Sequence, residues 1–163
     1  MKQKFLILMA TLIGCVAIHQ AHAQNVNVVE KGTSLVNVGV GINNGALPIN
    51  VSYDYGVVGN LFDDKSALTV GGLAGALIGK DATGVLLGAR LGLHYHFIPE
   101  LDTYLSVMLG YDSLDGDKKS SKDGNFAWGT HLGARYMFSK KMGAFAELGY
   151  GYSFANIGVV FRF

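Results

Sequence analysis

Apolar and polar residues alternate along most of this chain. In residues 83–97, TGVLLGARLGLHYHF, every odd position from Val85 to Phe97 is apolar, whereas the even positions include Arg90 and His94. Side chains of a strand point alternately to its two faces, so this period of two predicts a strand with one apolar face. The same division predicts eight strands, at 33–43, 48–57, 66–79, 83–97, 101–112, 125–138, 142–153 and 156–163.

The turns between these segments keep the apolar faces in phase. Asn44-Gly45 is a strong type I′ hairpin signal, and a two-residue loop there places Val38 opposite Val51. Further turns are expected at Asp81-Ala82, at 98–100, at 139–141 and at Phe154-Ala155. Because a slip of one residue would invert the faces of a whole strand, this agreement predicts one continuous antiparallel sheet.

A sheet with one apolar and one polar face closes into a barrel in two ways. In a soluble barrel the apolar face points inward and binds an apolar ligand, whereas in a membrane barrel it faces lipid. The polar face of this sheet is rich in glycine, which suits a narrow interior. The chain also ends on NIGVVFRF, a strand that in water would be an open edge unless another strand pairs with it.

Aromatic residues on the apolar face cluster toward the strand ends. One predicted girdle consists of Tyr95, Phe97, Tyr136, Phe138, Phe161 and Phe163, and the other of Tyr111, Phe126, Trp128, Tyr150 and Tyr152. Smaller residues, such as Leu105, Val107 and Ala146, lie between them. Aromatic girdles at two interfaces around an aliphatic waist favour an all-β fold, an eight-stranded antiparallel up-and-down transmembrane β-barrel.

The first 23 residues have the form of a secretory signal peptide. A basic MKQK is followed by a 14-residue apolar stretch and by Ala-His-Ala before Gln24. This pattern predicts cleavage after Ala23 and a barrel domain over residues 24–163. The sequence LIGC, ending at Cys15, also has the form of a lipobox, in which Cys15 would be acylated and become the N-terminus.

Composition excludes several kinds of chemistry for residues 24–163. Removing Lys2 and Lys4 with the signal leaves 11 of 13 basic residues against 12 acidic ones, a formal charge of −1, which does not indicate a nucleic-acid partner. Cys15 is the one cysteine of the chain, so no disulfide is expected in that domain. No phosphate-binding loop, HExxH or GxSxG motif occurs, and neither an enzymatic activity nor a cofactor is predicted.

The three histidines of the domain are predicted to face the barrel interior. A metal site built from His94, His96 and His131 would have to form across the barrel, so hydrogen-bonded interior histidines are the simpler interpretation. His96 is expected to face Asp102 across the turn at 98–100, which satisfies its ring without a metal.

The final 31 residues, GARYMFSKKMGAFAELGYGYSFANIGVVFRF, are similar to the end of the outer-membrane β-barrel domain of porin-family-like proteins. The whole domain resembles the small barrels of OmpA and OmpX type. This resemblance implies an outer-membrane location in a Gram-negative bacterium, with lipid as surroundings. It also implies that Phe161 and Phe163 form the signal read by the barrel-assembly machinery. Both termini then lie in the periplasm, and the polar loop at 112–125 faces outward, where it could bind a surface ligand.

Charges on the predicted inner face indicate how the lumen is filled. A turn at Phe154-Ala155 places Glu147 opposite Arg162 and diagonal to Arg135, with Arg90 able to reach the same carboxylate across the barrel. We expect this group to plug the lumen. The sequence therefore predicts a structural outer-membrane barrel acting in envelope integrity or surface interaction. A secreted soluble barrel that binds an apolar ligand, or a narrow small-solute channel, are the alternatives.

Overall fold

The computed structural model describes residues 27–43, 46–79, 83–113 and 125–163, and these form eight antiparallel strands in a closed barrel. The strands are β1 (Ser34–Ile42), β2 (Leu47–Gly59), β3 (Ser66–Ile78), β4 (Thr83–Ile98), β5 (Leu101–Asp112), β6 (Asn125–Met137), β7 (Met142–Tyr150) and β8 (Ala155–Arg162). Each strand pairs with its neighbours in the chain, and β8 pairs with β1. The predicted fold and strand order are confirmed.

The C-terminal strand has no free edge. Val38 of β1 pairs with Val159 of β8, and the backbone of Phe163 both donates to and accepts from the backbone of Ser34. Closure therefore satisfies the peptide groups that an edge strand would leave open. Both Ser34 and Phe163 lie at the same end of the barrel, which we call the terminal end; the other is the distal end.

Most of the predicted registers agree with the structure. Val38 lies opposite Val51, and Asn43 pairs with Ala46, as a turn at Asn44-Gly45 requires. Residues 44–45 themselves, the turn at Asp81-Ala82 and most of the 112–125 loop lie outside the described residues. Short irregularities interrupt the ladder between Gly56 and Val58 in β2 and between His96 and Ile98 in β4.

The hairpin between β7 and β8 differs from the prediction. The seventh strand ends at Tyr150 rather than at residue 153, because Gly151 has a φ of 115°, which turns the chain inward. Leu148 is then the last β7 residue that pairs with β8, opposite Ala155, and residues 151–154 form a loop in place of a tight turn at Phe154-Ala155. As a result, Tyr152 is 8 % exposed inside the barrel and does not belong to an aromatic girdle.

The outer face of the barrel is apolar, and the inner face is largely polar. Leu132 on the outer face of β6 is 66 % exposed, whereas Arg135 on the inner face of the same strand is fully buried. The other predicted girdle residues lie on the outer face, and among them Phe138 is partly exposed. The exposed ones are Tyr95, Phe97, Tyr136, Phe161, Phe163, Tyr111, Phe126, Trp128 and Tyr150. Among the described residues, no helix is long and apolar enough to cross a membrane.

The segment that precedes β1 folds into the terminal end of the barrel. Val28 and Val29 are each 2 % exposed and pack against inward-facing side chains of several strands. The cluster contains Val28, Val29, Leu35, Ala67, Met137, Phe145 and Val160. Hydrogen bonds from Gly32 to the carbonyl of Gly56 and from Gly56 to the carbonyl of Thr33 fix the segment to β2. We call residues 27–33 the cap, because they cover the lumen at this end.

Candidate functional site in the barrel lumen

Arg135 on β6 lies at the centre of the charged residues in the lumen. Its guanidinium donates to the carboxylates of Asp54 on β2 and Asp102 on β5, the latter at 3.1 Å, and to the amide oxygen of Asn37 on β1, also at 3.1 Å. The same group lies 4.1 Å from the centroid of the Tyr104 ring. A buried guanidinium is stabilised only when its donors are paired, and here two carboxylates and an aromatic face surround it.

Arg90 on β4 pairs with Glu147 on β7 across the lumen. The Nη2 atom of Arg90 lies 2.5 Å from Oε1 of Glu147. Its Nε atom lies 3.5 Å from Oδ1 of Asp54, but neither of these two atoms makes a hydrogen bond. Asp54 therefore lies between both arginines, and the two ion pairs form one continuous network.

Hydroxyl and amide donors complete the coordination of the Glu147 carboxylate. Tyr104 donates to Oε1 at 2.9 Å, while Tyr152 and Asn156 donate to Oε2 at 2.7 and 3.0 Å. Burial and the neighbouring carboxylate raise the pKa of Tyr152 well above its usual range, so its hydroxyl stays protonated and acts as the donor. Tyr152 therefore binds Glu147 in the lumen, a contact that its predicted position on the outer face would not allow.

Close packing around Tyr104 also depends on a glycine. A Cβ atom at Gly133, the residue paired with Tyr104, would lie 2.3 Å from Cζ of that ring. No side chain can be placed at this position without moving the ring away from Arg135 and Glu147. Gly133 therefore creates the space in which the tyrosine connects the two ion pairs.

The predicted charged residues only partly come together. Arg90 reaches Glu147 across the barrel as expected, and Arg135 is diagonal to Glu147, but Arg135 binds Asp54 and Asp102 instead. Arg162 is not part of the network. Because the loop at 151–154 shifts the register, Asn156 lies opposite Glu147, and Arg162 donates to the backbone carbonyls of Val28 and Asn27 in the cap.

Sequence reasoning missed Asp54 and Tyr104, the acid and the aromatic ring that connect the two arginines. The alternation in NVSYDYG places Asp54 on the inner face with Asn50 and Ser52, so the charge could have been included. Tyr104 occupies an inner position two residues after Asp102. Its ring is buried at 2 % exposure, which the glycine content of the inner face did not suggest.

The histidines use their ring nitrogens for hydrogen bonds. His96 lies opposite Asp102 in the strand register, with 3.6 Å between its Nε2 and Oδ1 of Asp102. The Nε2 atom accepts a hydrogen bond from the backbone N–H of Val29. The Nδ1 atom therefore carries the proton and donates to the backbone carbonyl of Lys65. His131 contacts the carbonyl of Ser153 through Nε2 at 3.0 Å. Within the described ranges, no group of three or more histidine, cysteine or acidic side chains is arranged to hold a metal ion.

His94 connects an acid and a hydroxyl. Its Nδ1 lies 2.9 Å from Asp102, and its Nε2 lies 2.9 Å from the hydroxyl of Thr69. This order of acid, imidazole and hydroxyl is the one used to activate a nucleophile. However, Thr69 is 1 % exposed and a Cβ atom at Gly92 would already lie 2.6 Å from its hydroxyl oxygen. A substrate has no space beside that hydroxyl, and the arrangement holds strands β3, β4 and β5 together.

The distal end of the lumen contains a cavity of about 480 Å³. Its walls include Leu86, Met108 and Ala127, and it ends against Tyr152, whose hydroxyl binds Glu147. Inward positions on this side are often glycine, including Gly75 and others at 84, 149 and 151. The described inward side chains thus form an apolar cluster with the cap at one end, a charged network in the middle and the wall of a cavity at the distal end.

Two solved structures of low sequence similarity share this architecture, and a third aligns at a lower score. The N-terminal β-barrel domain of OprF from Pseudomonas aeruginosa aligns with a TM-score of 0.61 at 17% identity, over 82% of this chain and 98% of that chain. A de novo designed transmembrane β-barrel aligns with a TM-score of 0.57 at 20% identity, over 82% and 98%. The outer-membrane protein OprG from Pseudomonas aeruginosa gives 0.42 at 14% identity, over 84% and 99%.

No protein-family model and no curated protein sequence matches the chain. At identities of 17% and 20%, the likeness to OprF and to the designed barrel concerns the fold alone. The strand number, the up-and-down order and the β1–β8 closure are those of such barrels. The chain is therefore an eight-stranded up-and-down β-barrel with the architecture of the small transmembrane barrels.

Proposed function

We propose that this chain is a structural outer-membrane β-barrel of a Gram-negative bacterium, with a lumen closed to ions, acting in envelope integrity or surface interaction. The observation that carries the proposal is the sidedness of the sheet. Apolar residues such as Leu132 and Leu148 are 66 % and 64 % exposed, whereas Arg135 and Asp102 are fully buried. A barrel with this arrangement is stable when hydrocarbon surrounds it, because lipid covers the outer face and no peptide edge is left open.

The same sidedness argues against a soluble barrel that binds an apolar ligand. Such a protein would direct its apolar face into the lumen, whereas here the centre of the lumen holds Asp54, Arg90, Asp102, Arg135 and Glu147. A water-exposed surface covered with large apolar side chains from all eight strands would associate with other surfaces. Membrane insertion removes that surface from water.

Assembly through the C-terminal strand is part of the proposal. Phe161 and Phe163 lie on the outer face beside the β1–β8 closure, where the barrel-assembly machinery would meet them. Changing both to Ser should lower the folded, heat-modifiable species in the outer membrane while export continues. The same double change at Leu105 and Val107, two outer-face residues of β5, serves as the control for a general loss of apolar surface.

Two features of the lumen support its closure. The cap and its apolar cluster cover the terminal end, and the network from Arg135 to Glu147 spans the middle.

A narrow small-solute channel is the second candidate function, favoured by the distal cavity. Loop 112–125, which lies mostly outside the described residues, is proposed as the surface that meets an external ligand. With termini in the periplasm, the distal end faces the exterior.

Fractionation and conductance together test the proposed function. The mature protein should be recovered with outer membranes and require detergent for release, and in planar bilayers it should give no steady single-channel current. Recovery in a detergent-free soluble fraction would contradict the membrane assignment. A large, steady conductance of the unmodified protein would instead establish the small-solute channel.

A further inference from the structure

The distal cavity has the size and composition of a ligand site. At about 480 Å³ it lies within the usual range of small-molecule pockets. Its wall is apolar over a large part, with Pro48, Leu77, Leu86, Met108 and Ala127 among the lining residues. Leu73, Met108 and Tyr152 form an apolar cluster against which Leu86 packs. The site would therefore accept the apolar body of a ligand.

One carboxylate in this wall lacks a partner. The Oδ1 atom of Asp112, at the distal end of β5, is buried without a hydrogen bond, and Asp112 lines the cavity. Burying a carboxylate oxygen without a donor is unfavourable, so a donor supplied by a ligand would be stabilising. No lysine, arginine or histidine is among the described residues that line the cavity.

The charge of the lumen also favours a cation. Three carboxylates, those of Asp54, Asp102 and Glu147, face two guanidinium groups in the network below the cavity. Glu147 already binds four donors in the network, and neither it nor Asp54 is among the described residues that line the cavity, so Asp112 is the acidic group that a ligand there would meet. A metal ion is a poor match, because Asp112 is the one carboxylate among the described lining residues and the surrounding wall cannot replace a hydration shell.

We propose that the distal cavity binds a small amphiphilic monocation, with its ammonium group on Asp112 and its apolar body against Leu86, Met108 and Ala127. This inference goes beyond the proposed structural function, because a closed barrel needs no ligand. It also does not depend on which end of the barrel faces the cell exterior. The ammonium group donates to the Asp112 carboxylate, whose unpaired oxygen turns toward the cavity by rotation about the Cβ–Cγ bond, and the charge-assisted bond selects cations over neutral and anionic molecules of the same shape.

Binding of dansylcadaverine, a fluorescent amphiphilic amine, tests the site. The mature barrel is placed in nanodiscs of zwitterionic phosphatidylcholine, and the fluorescence change is compared with that of empty nanodiscs. We expect saturable binding to the barrel, with the anionic dansyl derivative of 6-aminohexanoate and the neutral dansyl pentylamide binding about tenfold more weakly or worse. The proposal would be overturned if empty nanodiscs gave the same fluorescence change as nanodiscs with the barrel. It would also be overturned if the anionic probe bound as tightly as dansylcadaverine.

Matched variants locate the bound probe. Asp112→Asn should weaken binding of the amine about tenfold or more, whereas Asp64→Asn, an exposed acid at the terminal end, should leave it unchanged. Ala127→Phe fills the cavity and should abolish binding, whereas Ala146→Phe on the outer face should not. Heat-modifiable migration verifies folding, and Ala127→Leu replaces Ala127→Phe if the latter does not fold. Unchanged affinity in Asp112→Asn contradicts the proposed ammonium contact.

Discussion

The terminal and distal halves of the lumen are built by the same eight strands but are filled differently. In the terminal half, inward positions carry large or charged side chains such as His96, Asp102 and Arg135, and the cap adds Val28 and Val29. In the distal half, many inward positions are glycine or alanine, and about 480 Å³ stays open. The division lies near Glu147, which binds Arg90 on one side and Tyr152 on the other.

This difference shows that closing a barrel and filling it are separate problems. All eight strands pair with their neighbours through both halves, with two short irregularities in β2 and β4 near the terminal end, so strand pairing does not depend on the content of the lumen. Stability contributed by side chains, by contrast, is concentrated where charges and apolar groups are paired. We therefore expect substitutions in the terminal half to be costly and comparable substitutions in the distal half to be mild.

The largest effect is expected for Arg135→Met, which keeps most of the side-chain volume but removes the charge. Asp54 and Asp102 would then be buried without their shared guanidinium. Leaving a buried ion unpaired typically costs about 3–5 kcal/mol, so the urea midpoint of the barrel in lipid vesicles should fall markedly. Arg162→Met is the control, because Arg162 is partly buried and donates to backbone carbonyls rather than to an acid. Equal losses in the two variants would contradict the central position of Arg135.

A smaller loss is expected for Glu147→Gln. The amide keeps the shape of the side chain and can still accept from Tyr104, but the ion pair with Arg90 is lost. Hydrogen bonds to charged groups contribute about 1.5–3 kcal/mol, and the free energy of unfolding in urea should fall by that amount. Asp112→Asn, at the distal end, is the matched control and should change the unfolding free energy little. If Glu147→Gln keeps the unfolding free energy of the unmodified protein, Glu147 does not contribute to stability. The stabilising half of the lumen would then end on the terminal side of this residue.

The sequence predicts the strands well because a period of two determines which face each residue occupies. A single strand such as β4 already separates its apolar residues from Arg90, His94 and His96. The inner position of Asp102 opposite His96 follows from one short turn and is correct in the structure. The register between neighbouring strands that are joined by a tight turn can thus be predicted from the local sequence.

Contacts across the barrel could not be predicted in the same way. Whether Arg135 reaches Glu147 or Asp54 depends on strand tilt and on every intervening register. The loop at 151–154 moves Arg162 away from Glu147 and turns Tyr152 inward, and its one local signal was Gly151. The cap was also missed, since Val28 and Val29 precede the first strand and show no alternation.

A local effect is expected for Val29→Ala in the cap. The change removes buried apolar atoms from the cluster with Leu35 and Phe145 and should destabilise the cap by about 1–2 kcal/mol. Because the cap lies outside the closed sheet, the loss should appear as faster exchange of its backbone amides, with the exchange of Val38 unchanged. Hydrogen exchange followed by mass spectrometry measures both regions. Val159→Ala, on the outer face, should leave cap exchange as it is; faster exchange throughout the barrel in Val29→Ala would show that the cap is not a separate unit.

The smallest effect is expected where the lumen is hollow. Ala127 lines the distal cavity, so the added methyl groups of Ala127→Leu enter open space and the unfolding free energy should change by less than about 0.5 kcal/mol. Ala67 provides the contrast, because it is 1 % exposed within the cluster beneath the cap. Ala67→Leu forces the same atoms into a filled region and should cost about 1–3 kcal/mol by overpacking. Parallel urea titrations of the two variants compare the change in unfolding free energy that the same substitution causes at the distal and at the terminal end of the lumen. Equal costs at the two positions would mean that the distal half is as tightly filled as the terminal half, and the contrast between them would fail.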